Sequence, residues 1–203
     1  MKLCGLTGGV GMGKSTAAGF FLRLGARVAD TDDLAHELVR PGRPALAEIR
    51  SQFGDRFIAA DGALKRGELA REVFSNPAAR AKLEAILHPR IREQWQLQAQ
   101  TWRKENCPLG IVVIPLLFET AAEAAFDKII CAACSPATQL ERLRARGWAA
   151  EQIQGRIAAQ LPVSEKIARS HYVIWTEGSL ENHRRQVERI ERQLQATTCS
   201  CPK

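Results

Sequence analysis

The chain has 203 residues, 29 Lys and Arg against 22 Asp and Glu, and a formal charge of +7. Hydrophobic residues make up 45% and charged residues 25%, ordinary globular values that exclude a disordered chain and a fibrous repeat. A bilayer span needs about 20 consecutive apolar residues. The longest apolar run here, Gly110 to Phe118, is far shorter, so no membrane or export segment is expected and a cytoplasmic location follows.

Lys2 to Thr7 reads as a short buried strand, followed at once by a glycine-rich turn. Ser15 to Leu24 has Ala17, Phe20, Phe21 and Leu24 at helical spacing, Gly25 ends it, and Ala26 to Ala29 reads as a second strand. Strand, glycine turn, helix and strand make a βαβ unit, which implies a parallel sheet covered by helices. From Thr31 the pattern is helical: Asp32 or Asp33 as a cap with a helix to Val39, then Pro44 to Phe53, Lys65 to Phe74 and Ala78 to Arg103. Ile111 to Ile114 and Lys128 to Cys134 read as central strands. Ser135-Pro136 opens a helix to Arg146, Glu151 to Gln160 is another, Tyr172 to Trp175 a last strand, and Leu180 to Gln195 a charged final helix before a loose tail from Thr197. The six cysteines are expected to be reduced thiols, with Cys131-x-x-Cys134 inside a strand-like run and not a metal site.

Gly8-Gly9-Val10-Gly11-Met12-Gly13-Lys14-Ser15 satisfies G-x-x-x-x-G-K-S/T in full. Glycines let successive backbone N–H groups turn inward around a phosphate, and the loop delivers that phosphate to a helix N-terminus. Lys14 suits the β- and γ-phosphates, Ser15 a Mg²⁺ ion, and Thr16 the α-phosphate. The motif follows a predicted strand and opens a predicted helix, so nucleotide phosphate binding is the expectation.

Asn76, Asn106 and Asn182 are not followed by Lys, so the N-K-x-D element of a guanine-specific switch is absent; no Asp-Glu pair marks a motor. A small kinase fits better. It needs a group for the acceptor hydroxyl, cations for the phosphoryl group in flight, and a cover against water. Asp30 and Asp32, two apart at the end of the second strand, are candidates for the first. Arg142 and Arg146, four apart on one helix, supply the second, and Arg156 with Gln160 repeats the spacing on the next helix. Two short helices joined at Gly147 read as the cover, a lid over about 138–165.

Taken together, these residues resemble the dephospho-coenzyme A kinase family. The resemblance runs from the N-terminus to about Gly178 and rests on the phosphate loop, Asp30-x-Asp32, Pro41-Gly42, Asp61-Gly62, Leu64, Arg66, Val73-Phe74, Leu87-His88-Pro89, Pro115-Leu116-Leu117-Phe118-Glu119, and Arg142, Arg146, Arg156 and Gln160. It implies phosphorylation of the ribose 3′-hydroxyl of dephospho-coenzyme A by ATP with Mg²⁺. It implies an α/β core with a parallel P-loop sheet at 1–31 and 108–203, interrupted by a helical substrate-binding insertion at 32–107. Carried over position by position, Asp32 is the base, and Gly11, Met12, Gly13, Lys14, Ser15 and Thr16 hold ATP. Ser15 holds the metal, Lys14, Arg142 and Arg146 carry charge, and Arg66, His88 and Glu119 meet the substrate beside Asp32. A monomer without nucleic-acid or membrane partners is expected. The alternative is a P-loop kinase for another nucleoside or small metabolite. The chain departs from the family pattern at Lys65, where Asp is usual, and at His171 and Thr176, where Asp and Asn are usual.

Overall fold

The central strands are short runs of small and β-branched residues without alternation, the pattern of strands covered on both faces. The computed structural model describes residues 1–196 and places β1 (Lys2–Thr7), β2 (Arg27–Asp30), β3 (Leu109–Val113), β4 (Lys128–Ala133) and β5 (Tyr172–Trp175) in one sheet. The order is β2-β3-β1-β4-β5, with every pairing parallel. All five residues of β3 are buried, as are the last five of β1 and of β4. The two edge strands have four residues each and are partly exposed, which limits the unpaired backbone offered to other chains.

The helices are α1 (Lys14–Arg23), α2 (Thr31–Leu38), α3 (Pro44–Phe53), α4 (Arg66–Ser75), α5 (Pro77–Lys104), α6 (Pro136–Ala145), α7 (Ala150–Ala158), α8 (Val163–Ala168) and α9 (Leu180–Ala196). Two compact units divide the chain: Met1–Asp30 together with everything from Ala99 onward, and Thr31–Gln98. The first holds the sheet. Phe20 and Phe21 of α1 and Val187, Ile190 and Leu194 of α9 pack with Leu6, Ile111, Ile130 and Ile174. Each such fully buried side chain contributes roughly 1.5–3 kcal/mol. The second unit has its own core of Val39, Ala45, Ile49, Phe57, Leu69 and Ile86.

Three details differ from the sequence expectations. β3 begins at Leu109, two residues early, because Gly110 lets the strand run beneath Trp102; a Cβ there would stand 2.8 Å from the indole. α8 has no counterpart among the sequence expectations, since six residues carry too little periodicity to mark a helix. Asp32 lies inside the first turn of α2, so it and Asp30 do not share an extended segment; acidic side chains are favoured at a helix's positive end and the helix starts directly after β2. The expected tail from Thr197, with Cys199 and Cys201, lies outside the described residues. Cys4, Cys107, Cys131 and Cys134 are free thiols, and burial pushes Cys131 up to about 11, which keeps it protonated and unreactive.

Candidate active site

Thr7 is the last residue of β1 and Lys14 the first of α1, so Gly8 to Gly13 form the turn at the carboxyl edge of the central strand, where open α/β sheets bind ligands. Glycine is required at two places in it. A Cβ on Gly8 would sit 2.2 Å from the Ala132 carbonyl oxygen of β4. Gly13, at φ 85°, is the left-handed residue that starts α1. No acidic residue lies in the first turn of α1, so the helix's positive end is not neutralised by its own sequence. Lys14 folds back over the loop, its Nζ donating to the Gly8 and Gly9 carbonyls at 2.9 Å each. Ser15 and Thr16 stand exposed beside it. Backbone amides, a helix N-terminus and an ammonium thus surround one small volume, which is the chemistry of a polyphosphate site.

Arg142 on α6 is held to the same loop through Thr176. Its Nη1 donates to Thr176 Oγ1 at 2.8 Å and its Nη2 to the Thr176 carbonyl at 2.5 Å. Thr176 Oγ1 in turn donates to the Met12 carbonyl at 3.3 Å. Arg146 caps the C-terminus of α6 and is exposed. Arg156 lies over the Trp148 ring at 4.5 Å. Glu119, in the segment after β3, accepts from the Leu161 N–H at 2.8 Å and pairs with Lys166 Nζ at 2.7 Å.

The remaining sequence-selected residues lie in the Thr31–Gln98 unit. Asp32 is exposed on α2. Arg66 is the first residue of α4, and its guanidinium donates to the His36 carbonyl at 3.3 Å. His88 precedes Pro89 within α5 and is half-buried. Burial is the chief cause holding its imidazole below the ordinary value, with the Arg80 and Arg92 charges adding to that and Glu84 opposing it, so it is neutral at pH 7.

The family model described as dephospho-CoA kinase matches residues 2–182. The chain belongs to the dephospho-CoA kinase family. The dephospho-CoA kinase of Bdellovibrio bacteriovorus is 39% identical over 195 residues, covering 96% of this chain and 97% of that one. The Thiobacillus denitrificans dephospho-CoA kinase is 44% identical over 192 residues and 94% of each chain. The solved dephospho-CoA kinase of Campylobacter jejuni has the same fold, with a TM-score of 0.72 at 24% identity over 97% of this chain and 98% of that one. Membership makes the chain a kinase, an enzyme of phosphoryl transfer with ATP as donor.

Around the loop of this dephospho-CoA kinase family member stand Gln160, which the sequence marks, and other residues that it does not. Gln139, 6% exposed, donates from Nε2 to the Val10 carbonyl at 2.8 Å. Gln160 accepts the Val10 N–H at 2.9 Å. Lys166, fully buried, donates to the Pro115 carbonyl at 2.7 Å, and the Thr7 hydroxyl donates to that same oxygen at 3.2 Å. Only Gln160 carries a signal, through its helical spacing from Arg156 and the family pattern; the others look like ordinary polar positions until the chain folds.

Glu177 organises the turn from β4 into α6. It accepts from Ser135 N at 3.0 Å, Thr138 Oγ1 at 2.9 Å and Trp175 Nε1 at 3.0 Å. These bonds, Ser135's first, pull its carboxyl from 4.5 down to about 2. A depressed folded value stabilises the fold above pH 4.5 and is lost as pH falls toward 2. The thermal midpoint should therefore drop between pH 4.5 and 2 in the wild type. Glu177→Gln should flatten that part of the profile, as followed by circular dichroism; an unaltered slope would remove Glu177 as its source.

Proposed function

We propose that this chain transfers the γ-phosphoryl group of ATP to the ribose 3′-hydroxyl of dephospho-coenzyme A, giving ADP and coenzyme A in the cytoplasm. The observation that carries the reading is a complete phosphate cradle within a family match that spans nearly the whole chain. Gly11, Met12, Gly13, Lys14, Ser15 and Thr16 hold the ATP phosphates. Lys14 follows the phosphoryl charge as it moves, and Arg142 and Arg146 balance the rest.

Asp32 accepts the 3′-hydroxyl proton as the oxygen attacks the γ-phosphorus in line. Its exposure and its place just past the carboxyl end of β2 support that role. The Thr31–Gln98 unit, which overlaps the proposed 32–107 insertion, takes the acceptor. Lys65 is the N-cap of α4 and Arg66 its first residue, two cations at a helix end that already carries positive potential; an anionic substrate makes that arrangement favourable. Neutral His88 offers a hydrogen bond rather than charge. Glu119 reaches substrate only through its second oxygen, because Oε1 holds Leu161 and Lys166.

The residues also fit Mg²⁺. The ion favours phosphate oxygens, water and few protein ligands; the Ser15 hydroxyl is exposed at the loop, and no cluster of three His, Cys, Asp or Glu fit for a metal exists among the described residues. When bound, it neutralises the β- and γ-phosphate oxygens.

The test is ADP release with ATP and a panel of acceptors, with the product position determined by mass spectrometry. Turnover is expected with dephospho-coenzyme A alone, phosphorylated at the 3′ position. Equal ADP release without an acceptor, or preference for another nucleoside, would overturn the assignment.

A further inference from the structure

Thr176 stands where two parts of the nucleotide site meet. Its N–H donates to the Ala133 carbonyl at 2.8 Å, which carries the β4–β5 ladder one step past Trp175 and fixes the backbone there. The residue is 3% exposed and lies against the phosphate loop: a Cβ on Gly13 would stand 3.1–3.3 Å from three Thr176 side-chain atoms. Two heavy atoms on Cβ leave a threonine few choices of χ1, so the hydroxyl is held where the strand end puts it.

A hydroxyl has one proton to give and lone pairs to accept with, and Thr176 uses both. Its Oγ1 accepts from Arg142 Nη1 at 2.8 Å and donates to the Met12 carbonyl at 3.3 Å. With Nη2 on the Thr176 carbonyl, the two bonds together fix the guanidinium plane. Two of its five N–H donors are used in this way, and the others remain for phosphate oxygens. The bond to Met12 acts on a peptide unit. The Met12 C=O and the Gly13 N–H belong to one planar trans unit and point in opposite directions, so latching the carbonyl aims the Gly13 N–H away from Thr176. Gly13 has a φ of 85°, and a glycine after that unit lets it turn over at little steric cost. A bond to the carbonyl opposes that turn.

We propose that Thr176 is a positioning residue of the nucleotide site: one buried hydroxyl orients Arg142 and the Gly13 N–H together, so that a cation from α6 and a backbone donor from the loop are set for the same ATP phosphates. Orienting an arginine in advance removes rotamer freedom that the transfer step would otherwise have to remove. Valine keeps the branched shape and loses the hydroxyl, whereas serine keeps the hydroxyl and loses the methyl. The two replacements therefore separate hydrogen bonding from packing.

This role rests on the ATP site proposed above, and the two are tested apart. ATP affinity is measured by calorimetry without acceptor, and kcat with dephospho-coenzyme A, for the full chain as wild type, Thr176→Val, Thr176→Ser, Arg142→Ala and the Thr176→Val/Arg142→Ala double variant. Thr176→Val should weaken ATP and lower kcat by about tenfold each, the scale of one hydrogen bond, and Thr176→Ser should stay within about threefold of wild type in both. Because Thr176 acts on kcat through Arg142, the double variant should turn over within about threefold of Arg142→Ala alone. Wild-type behaviour of Thr176→Val overturns the proposal, as does a loss in Thr176→Ser equal to or larger than that in Thr176→Val, or kcat losses that multiply in the double variant. Should Thr176→Val not fold, a tenfold loss in Thr176→Ser overturns it alone. Wild-type protein that binds ATP but does not turn over dephospho-coenzyme A removes the acceptor assignment and leaves the calorimetric comparison to decide the role of Thr176; wild-type protein that binds no ATP removes both.

Discussion

Asp32→Asn should cut turnover by about 10²-fold or more while leaving the dissociation constant for ATP near its wild-type value. The amide keeps the size and helix-start preference of the acid but takes no proton from the attacking hydroxyl. The fold should be unaffected: Asp32 is exposed, and removing one charge from a first turn costs at most about 1 kcal/mol at a surface site. Asp33, its exposed neighbour in the same turn, is the internal control. Asp33→Asn loses the same helix-end charge and should turn over normally. Equal loss in both variants would mean that the charge matters for α2 and not for chemistry; near-normal turnover in Asp32→Asn would remove it as the base.

The second large effect is on stability. Lys166→Met should destabilise the chain by about 3 kcal/mol, because removing one partner of a buried pair strands the other. The ammonium is 0% exposed and meets Glu119 Oε1 and the Pro115 carbonyl at 2.7 Å each, while the Glu119 side chain is 20% exposed. That residual exposure places the expected cost at the low end for a buried pair. For a domain of this size it corresponds to a drop in Tm of roughly 6–12 °C. Lys166→Met combined with Glu119→Gln should recover part of the loss, since no carboxylate then lacks its cation. A single-variant loss under about 1 kcal/mol, or a double variant worse than the sum of the singles, would remove the pair as a determinant of stability.

What the sequence made legible is what is local. The glycine spacing from Gly8 to Gly13, the stripe of Ala17, Phe20 and Phe21, and the unbroken apolar strands each carry their signal within about ten residues, and the parallel sheet follows from them. The phosphate cradle and its lysine were readable for the same reason. The supports of the site were not. Gln139 and Gln160 reach Val10 across 129 and 150 residues, Arg142 reaches Thr176 across 34, and Lys166 reaches Pro115 across 51. None of these partners shares a periodicity with the other. Thr176 shows this best: it breaks the family pattern, yet the fold employs it to tie α6 to the Met12 carbonyl. The spacing of Asp30 and Asp32 predicts an extended segment, whereas Asp32 belongs to a helix, because a strand can pass into a helix with no intervening turn residue to announce it.

The strand order has a consequence in time. β1 leaves the ribosome well before both its neighbours, β3 and β4, which lie beyond residue 108. At about 5–20 residues per second, the roughly 100 residues between β1 and β3 take on the order of 5–20 s to emerge. For that interval the apolar stretch Leu3–Leu6 has no ladder on either side, and the nucleotide cradle that follows it has no floor. The enzyme's most recognisable motif is made well before the strands that frame it and becomes structure late, so the nascent chain carries an unpaired β-strand for longer than most small domains take to fold.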